Sequence, residues 1–178
     1  MSTPVSNTSI SIRSRNMVGI WVFMLSDAIG FAALLTTVMA LRTSSEEFSN
    51  AGLLTLSTGV IATVILVAIS VCLIAARSLV KARRALILLS ALLSALFLGL
   101  QYFEYQDIFG ASSPGVAIVP GLESFVVVSA YHLVHVAAGM IALLWSLSRK
   151  DLPLGPLSVY WHFVDGLWLF IFTLFYLL

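Results

Sequence analysis

The sequence predicts an all-α membrane protein, a polytopic bundle with five transmembrane helices. Of its 178 residues, 60% are hydrophobic and 10% are charged, and its mean hydropathy is +1.06. About 25% of the residues of a soluble domain are charged, so this composition is too poor in charge for a water-exposed surface. The net charge of +1, without basic runs interleaved with aromatic residues, argues against a nucleic-acid partner.

Five apolar segments are each long enough to cross about 30 Å of hydrocarbon as a helix. They are residues 17–41, 53–76, 85–105, 125–147 and 159–178. Helices are favoured over a β-barrel because each segment satisfies its own backbone groups in lipid. The connections are short except for residues 106–124, where Pro114-Gly115 and Pro120-Gly121 predict turns. Residues 1–16 are interpreted as a polar N-terminal tail and residues 17–178 as one five-helix domain.

The positions of lysine and arginine predict the orientation of the bundle. One side carries eight basic residues, namely Arg13, Arg15, Arg77, Lys81, Arg83, Arg84, Arg149 and Lys150. The other side carries Arg42 and the acidic residues Glu46, Glu47, Asp107 and Glu123. We therefore expect a cytoplasmic N-terminus and a C-terminus outside. The basic cluster from Arg77 to Arg84 is an anchor at the cytoplasmic surface and a candidate contact for anionic lipid.

Seven polar or ionisable side chains inside the predicted spans are candidates for function, since such groups are costly in lipid. They are Asp27, Gln101, Glu104, His132, His135, His162 and Asp165. Asp27 lies about 15 Å from the inner end of its span, near the midplane. A carboxyl group at that depth is a candidate for proton handling, but a structural hydrogen bond to a neighbouring helix is the favoured interpretation.

The depths of the histidines argue against a shared metal site. His132 and His162 differ in depth by about 18 Å, whereas ligands lie about 2 Å from a metal ion. Gln101 is level with His132 and is its expected hydrogen-bond partner. His162 and Asp165 are three residues apart on one helical face, and we expect them to pin the last helix to its neighbours. No catalytic residue, metal site or cofactor site is predicted, and interhelical hydrogen bonding is the expected use of these groups.

Four motifs resemble one known family. They are "GIWVFMLSDAIGFAALL" (residues 19–35), "LGLQYFEY" (98–105), "AYHLVHVAAGMIALL" (130–144) and "YWHFVDGLWLFIF" (160–172). In this order they are similar to segments of subunit III of the haem–copper oxidases. Five spans correspond to the five-helix form of that family, which lacks the first two helices of the seven-helix form.

The resemblance implies a non-redox accessory subunit of a proton-pumping terminal oxidase in a bacterial-type plasma membrane. Haem and copper are then expected in the partner, catalytic subunit I, with subunit II as a further partner. The resemblance also implies bound phospholipid and support of stability and proton uptake. Asp27 takes the place of the family's midplane glutamate, whose side chain is one methylene longer. The resemblance gives Asp27 and Glu104 a candidate proton- or lipid-related role. His132, His135, His162 and Asp165 match the family's recurring polar positions.

Three other functions stay open at this point. Five-helix proteins of this kind are also associated with nitric oxide reductases, and the number of spans does not separate the two. A free-standing proton or small-solute transporter could use Asp27, although no inverted repeat or broken helix pair is present. A di-haem electron carrier is disfavoured by the depths of the histidines.

Overall fold

Long helices account for nearly all of the described chain. The computed structural model describes residues 6–44, 54–111, 120–148 and 154–178. The helices are α1 (Ser6–Ser44), α2 (Leu56–Ser78), α3 (Arg83–Ala111), α4 (Pro120–Ser148) and α5 (Leu154–Phe172). A 3₁₀ turn, Val80–Ala82, precedes α3, and a π-helical turn, Thr173–Leu177, extends α5. Five helices in these ranges are long and apolar enough to span a membrane, which confirms the predicted all-α bundle.

Prolines lie at the beginning of two helices. The predicted connection 106–124 is helical at both ends, because α3 continues to Ala111 and α4 begins at Pro120. The predicted turn at Pro120-Gly121 is therefore wrong, since proline suits the first turn of a helix, where its missing N–H is not needed. Pro156 lies in the first turn of α5 for the same reason. The other predicted turn, Pro114-Gly115, lies outside the described residues.

Helix α1 lies at the edge of the bundle. It begins at Ser6, within the segment predicted as a tail, and it packs against α4 and α5. In its most apolar window 17% of the residues are buried, against 33–44% in the other four helices. The outward face is apolar and carries Val18, Trp21, Val22, Leu25 and Ile29. Such a face is suited to lipid or to a neighbouring membrane subunit.

Aromatic rings fill the space between the helices. Trp168 of α5 and Phe97 of α3 are fully buried, and their ring centres lie 4.9 Å apart in an edge-to-face arrangement. Phe31 brings α1 into the same core, with its ring centre 4.8 Å from that of Tyr131 on α4. Edge-to-face aromatic pairs are favourable beyond the area they bury. The polar residues of the spans are embedded in this core.

Gly139 allows α4 and α5 to approach closely. A Cβ atom at this position would lie 2.9 Å from Cζ2 of Trp161 and 3.1 Å from Cε1 of Tyr160. Trp161 is fully buried, so its ring has little room to move aside. The absence of a side chain at residue 139 therefore sets the distance between these two helices.

We expect Gly139→Ala to lower the free energy of unfolding by about 1–3 kcal/mol, as overpacking of a core does. Thermal unfolding of the full-length protein in mild detergent, followed by circular dichroism, measures the effect. Gly99→Ala is the matched control, because a Cβ atom there meets nothing within 4 Å and alanine favours a helix over glycine. Equal destabilisation by both substitutions would contradict the close approach at Gly139.

Candidate functional site

A buried polar cluster joins α1 to α4. Asp27 of α1 is buried, and its Oδ1 atom accepts a hydrogen bond of 2.8 Å from the Tyr131 hydroxyl. The same oxygen lies 3.0 Å from Nε2 of His135. Tyr131 and His135 are one turn apart on α4, so both side chains reach the same carboxyl group. Asp27 thus makes a double polar contact with the neighbouring helix.

The hydrogen bonds of His135 indicate where its protons lie. Its Nδ1 atom is 2.8 Å from the carbonyl oxygen of Tyr131, and a carbonyl oxygen accepts but never donates, so Nδ1 carries a proton. The contact of Nε2 with Asp27 then needs one more proton, on the imidazole or on the carboxyl group. The pair has no net charge in either arrangement, and this avoids an unpaired charge inside a membrane span.

A second cluster surrounds Glu104 near the end of α3. The hydroxyl of Tyr176, in the π-helical turn, lies 2.8 and 2.7 Å from the two carboxyl oxygens of Glu104. Gln101 donates a hydrogen bond of 2.8 Å from Nε2 to Oε2 of Glu104. The predicted depth of Gln101 indicates His132 as its hydrogen-bond partner. This prediction is wrong, because Gln101 bonds to Glu104, which is one turn away on the same helix.

His132 lies among aromatic rings. Its ring centre is 5.9 Å from that of Phe97 and 5.4 Å from that of Trp168, and the residue is fully buried. Within the described part of the chain, neither ring nitrogen has a hydrogen-bond partner. His132 therefore contributes ring packing between α3, α4 and α5.

His162 and Asp165 meet Ser70 of α2 at the α2–α5 interface. The Ser70 hydroxyl donates to Oδ2 of Asp165. A hydroxyl has one proton, so its second contact, 2.9 Å to Nδ1 of His162, is a bond that Ser70 accepts. The order of donation is thus His162 to Ser70 to Asp165, and it joins α5 to α2.

The ionisable side chains lie in these separate clusters and do not converge on one point. In residues 6–44, 54–111, 120–148 and 154–178, no three His, Cys, Asp or Glu side chains are grouped so that they could hold a metal ion. Apart from His132 and the Gln101–Glu104 contact within α3, the polar groups described above instead pair across helix interfaces.

Comparison with known proteins identifies the family. The chain is 30% identical over 194 residues to cytochrome c oxidase subunit 3 of Bacillus subtilis (strain 168), covering 98% of this chain and 92% of that protein. This chain belongs to the subunit 3 family of cytochrome c and quinol oxidases. Cytochrome c oxidase subunit 3 of Thermostichus vulcanus is 27% identical over 91% of this chain and 87% of its own length. The probable quinol oxidase subunit 3 of Staphylococcus saprophyticus is 26% identical over 92% and 89%. No protein-family model matches the chain.

Membership of the subunit 3 family confirms the resemblance carried by the four motifs. It makes the chain an integral membrane subunit of a respiratory terminal oxidase, associated with the other subunits of such a complex.

Sequence reasoning does not single out three of the residues that complete the clusters of this subunit 3. Tyr131 is four residues before His135, and this one-turn spacing is a signal that marks it as a shared partner of Asp27. Ser70 and Tyr176 stand in long apolar runs and carry no charge, so nothing in the sequence distinguishes them from ordinary packing residues.

Arg42 attaches the far end of α1 to the end of α5. Its Nη1 atom donates a hydrogen bond of 2.9 Å to the carbonyl oxygen of Leu174, and Nη2 donates to the carbonyl oxygen of Leu178. The last carbonyl groups of a helix lack partners within the helix and attract cations. Arg42, predicted only as the lone basic residue of its side, therefore holds α1 in place.

We expect Asp27→Leu to lower the free energy of unfolding by about 1–3 kcal/mol, because His135 and Tyr131 lose their buried partner. Unfolding of the full-length protein in a detergent titration measures this loss. Asp27→Asn is the matched control, since its amide can donate to Nε2 of His135 and keep the contact without a titratable group. If the asparagine variant is destabilised as much as the leucine variant, the contact is not what stabilises α1.

We expect Asp165→Leu to reduce the yield of assembled oxidase and to leave the turnover of each assembled complex unchanged. The substitution removes the acceptor of the Ser70 hydroxyl between α2 and α5. Subunit stoichiometry and oxygen consumption per haem of the purified complex are the measurements. Asp107→Leu removes an exposed carboxylate from α3 and serves as the control. Normal assembly with lost turnover would contradict a packing role for Asp165.

Proposed function

We propose that this subunit 3 is a non-redox accessory subunit that packs against catalytic subunit I of a proton-pumping haem–copper oxidase, stabilises it and binds phospholipid. The observation that carries the proposal is the use of the polar side chains. Asp27, Glu104 and Asp165 each accept hydrogen bonds from neighbouring side chains. Groups engaged in this way hold helices together, so the haem and copper of the complex belong in the partner.

The outward face of α1 supports contact with a larger membrane partner. This helix is the least buried of the five, and its exposed Trp21, Leu25 and Ile29 are large apolar side chains. Van der Waals packing against another membrane subunit suits such a face. Catalytic subunit I is the proposed partner there, with subunit II as its neighbour in the complex.

Support of proton uptake by Asp27 is a further part of this proposal. Its contact with His135 holds one proton that either group can carry. Its Oδ2 atom is buried and has no hydrogen-bond partner in the described ranges, so it is available to a further donor. Glu104 lies in a different cluster, bonded to Gln101 and Tyr176, and its proposed role is structural or lipid-related.

The oxidase subunits among the relatives favour an oxidase over a nitric oxide reductase as the partner complex. A free-standing transporter is less well supported, because the chain belongs to a family of oxidase subunits.

We expect the tagged chain, purified in mild detergent, to bring down a larger subunit with haem absorbance. The isolated complex should consume oxygen and leave nitric oxide unreduced. Mass spectrometry of the intact complex and its visible spectrum identify the partner and its cofactors.

Three results would contradict the proposed role as an accessory subunit of an oxidase. A chain that is reproducibly isolated alone, colourless and stable contradicts an accessory role. Reduction of nitric oxide by the co-purified complex favours a nitric oxide reductase. Proton transport by the chain alone in liposomes, abolished by Asp27→Asn, favours a transporter.

A further inference from the structure

A cavity of about 210 Å³ lies at the end of the bundle where α3 begins and α4 ends. Its polar lining consists of Lys81, Arg83, Arg84 and Ser146. The first comes from the 3₁₀ turn before α3, the two arginines from the first turn of α3, and the serine from the last turn of α4. Three basic residues thus line one small space.

The charge of this cavity comes from its side chains. The N-terminus of α3 and the C-terminus of α4 carry dipole charges of about +0.5 and −0.5, which offset each other. The first turn of α3 contains no acidic residue, although carboxylates are favoured there and arginines are not. Neither Lys81 nor Arg84 has a salt-bridge partner among the described residues. An anion would relieve the repulsion between these cations.

The connection after α4 is basic in sequence. It carries Arg149, Lys150 and Asp151, so basic residues outnumber the acidic residue there as well.

The size and position of the cavity favour a lipid headgroup. Pockets for drug-sized ligands are roughly 300–1,000 Å³, so this smaller cavity suits a phosphate with a short polar extension. The candidate membrane spans Val80–Gly110 and Pro120–Ser148 begin and end beside it, which places it at headgroup depth. Val80, Ile87 and Leu147 complete the lining and offer an apolar wall that an acyl chain can contact and a free ion cannot use.

We propose that this cavity binds the phosphate group of an anionic lipid, with Lys81, Arg83 and Arg84 as the cationic contacts. The site deepens the lipid-binding part of the proposed function and rests on it. It lies at the predicted cytoplasmic end of α3 and α4, away from the Asp27 cluster within the span.

We expect Arg84→Gln to weaken binding of phosphatidylglycerol about fivefold, since one basic residue near an anionic membrane contributes about 1 kcal/mol. The full-length chain in mild detergent is titrated with phosphatidylglycerol or phosphatidylcholine, and bound lipid is counted by native mass spectrometry. Arg77→Gln is the matched control, because it removes the same charge from the exposed last turn of α2 outside the cavity lining. Arg84→Lys keeps the charge and should retain binding.

The outcomes separate the sources of the phosphate group. Preference for phosphatidylglycerol, with photo-crosslinks of a labelled lipid at residues 80–87 and 146–147, supports a lipid headgroup. Binding of inorganic phosphate that is lost in Arg84→Gln, without lipid preference, supports the same site for free phosphate. Equal binding of both lipids without phosphate binding, or equal losses in the Arg77 and Arg84 variants, overturns the proposal.

Co-purification with the oxidase is a separate measurement. A chain that assembles normally but shows no phosphate or headgroup preference disproves the cavity site and leaves the accessory role intact.

Discussion

Pairing of polar side chains inside the spans is the constraint on which this fold depends. Lipid tails are as apolar as leucine, so burial of apolar surface gives helices in a membrane little reason to associate. An unpaired polar group in hydrocarbon, in contrast, costs several kcal/mol. Helix α1 shows the consequence most clearly, because little of it is buried. Its position is set by Phe31 in the core, by Asp27 against α4 and by Arg42 at the end of α5.

The polar clusters are distributed so that each fixes a different pair of elements. Asp27 connects α1 with α4, Asp165 connects α5 with α2, and Glu104 connects α3 with the turn that ends α5. A contact of this kind is worth about 0.6–2 kcal/mol in a membrane protein, which is small for one pair. Several such contacts at different depths also fix the rotation of each helix about its axis, which apolar packing alone leaves less well determined.

The depth assigned to each ionisable residue follows from the helical rise and stays a prediction. The sequence is sufficient to predict the spans, because these follow from local composition. It is not sufficient to predict partners, since these depend on which helices are neighbours and how each is rotated. Gln101 illustrates the difficulty, because its predicted depth matches that of His132, but it bonds to Glu104 on its own helix. Ser70 and Tyr176 are uncharged, so the cost of burying charge, which marks Asp27 and Asp165, does not mark them. Pro120 was ambiguous because proline suits both a turn and the first residue of a helix.

The ionisable residues of this subunit 3 form two separate groups, one inside the spans and one at an end of the bundle. The contact of Asp27 with His135 is neutral as a pair. Asp165 accepts a hydrogen bond from Ser70, and Glu104 accepts from Gln101 and Tyr176, so each carboxyl group of these clusters is turned toward the protein and not toward lipid. The basic residues instead collect where α2 ends, α3 begins and α4 ends. Interior contacts therefore determine how the helices pack, whereas the charged end is the basis of the predicted orientation and of the proposed headgroup contact. Because the two sets of residues are separate, we expect substitutions in the interior contacts to alter assembly without altering the proposed lipid preference, and substitutions at the charged end to do the reverse.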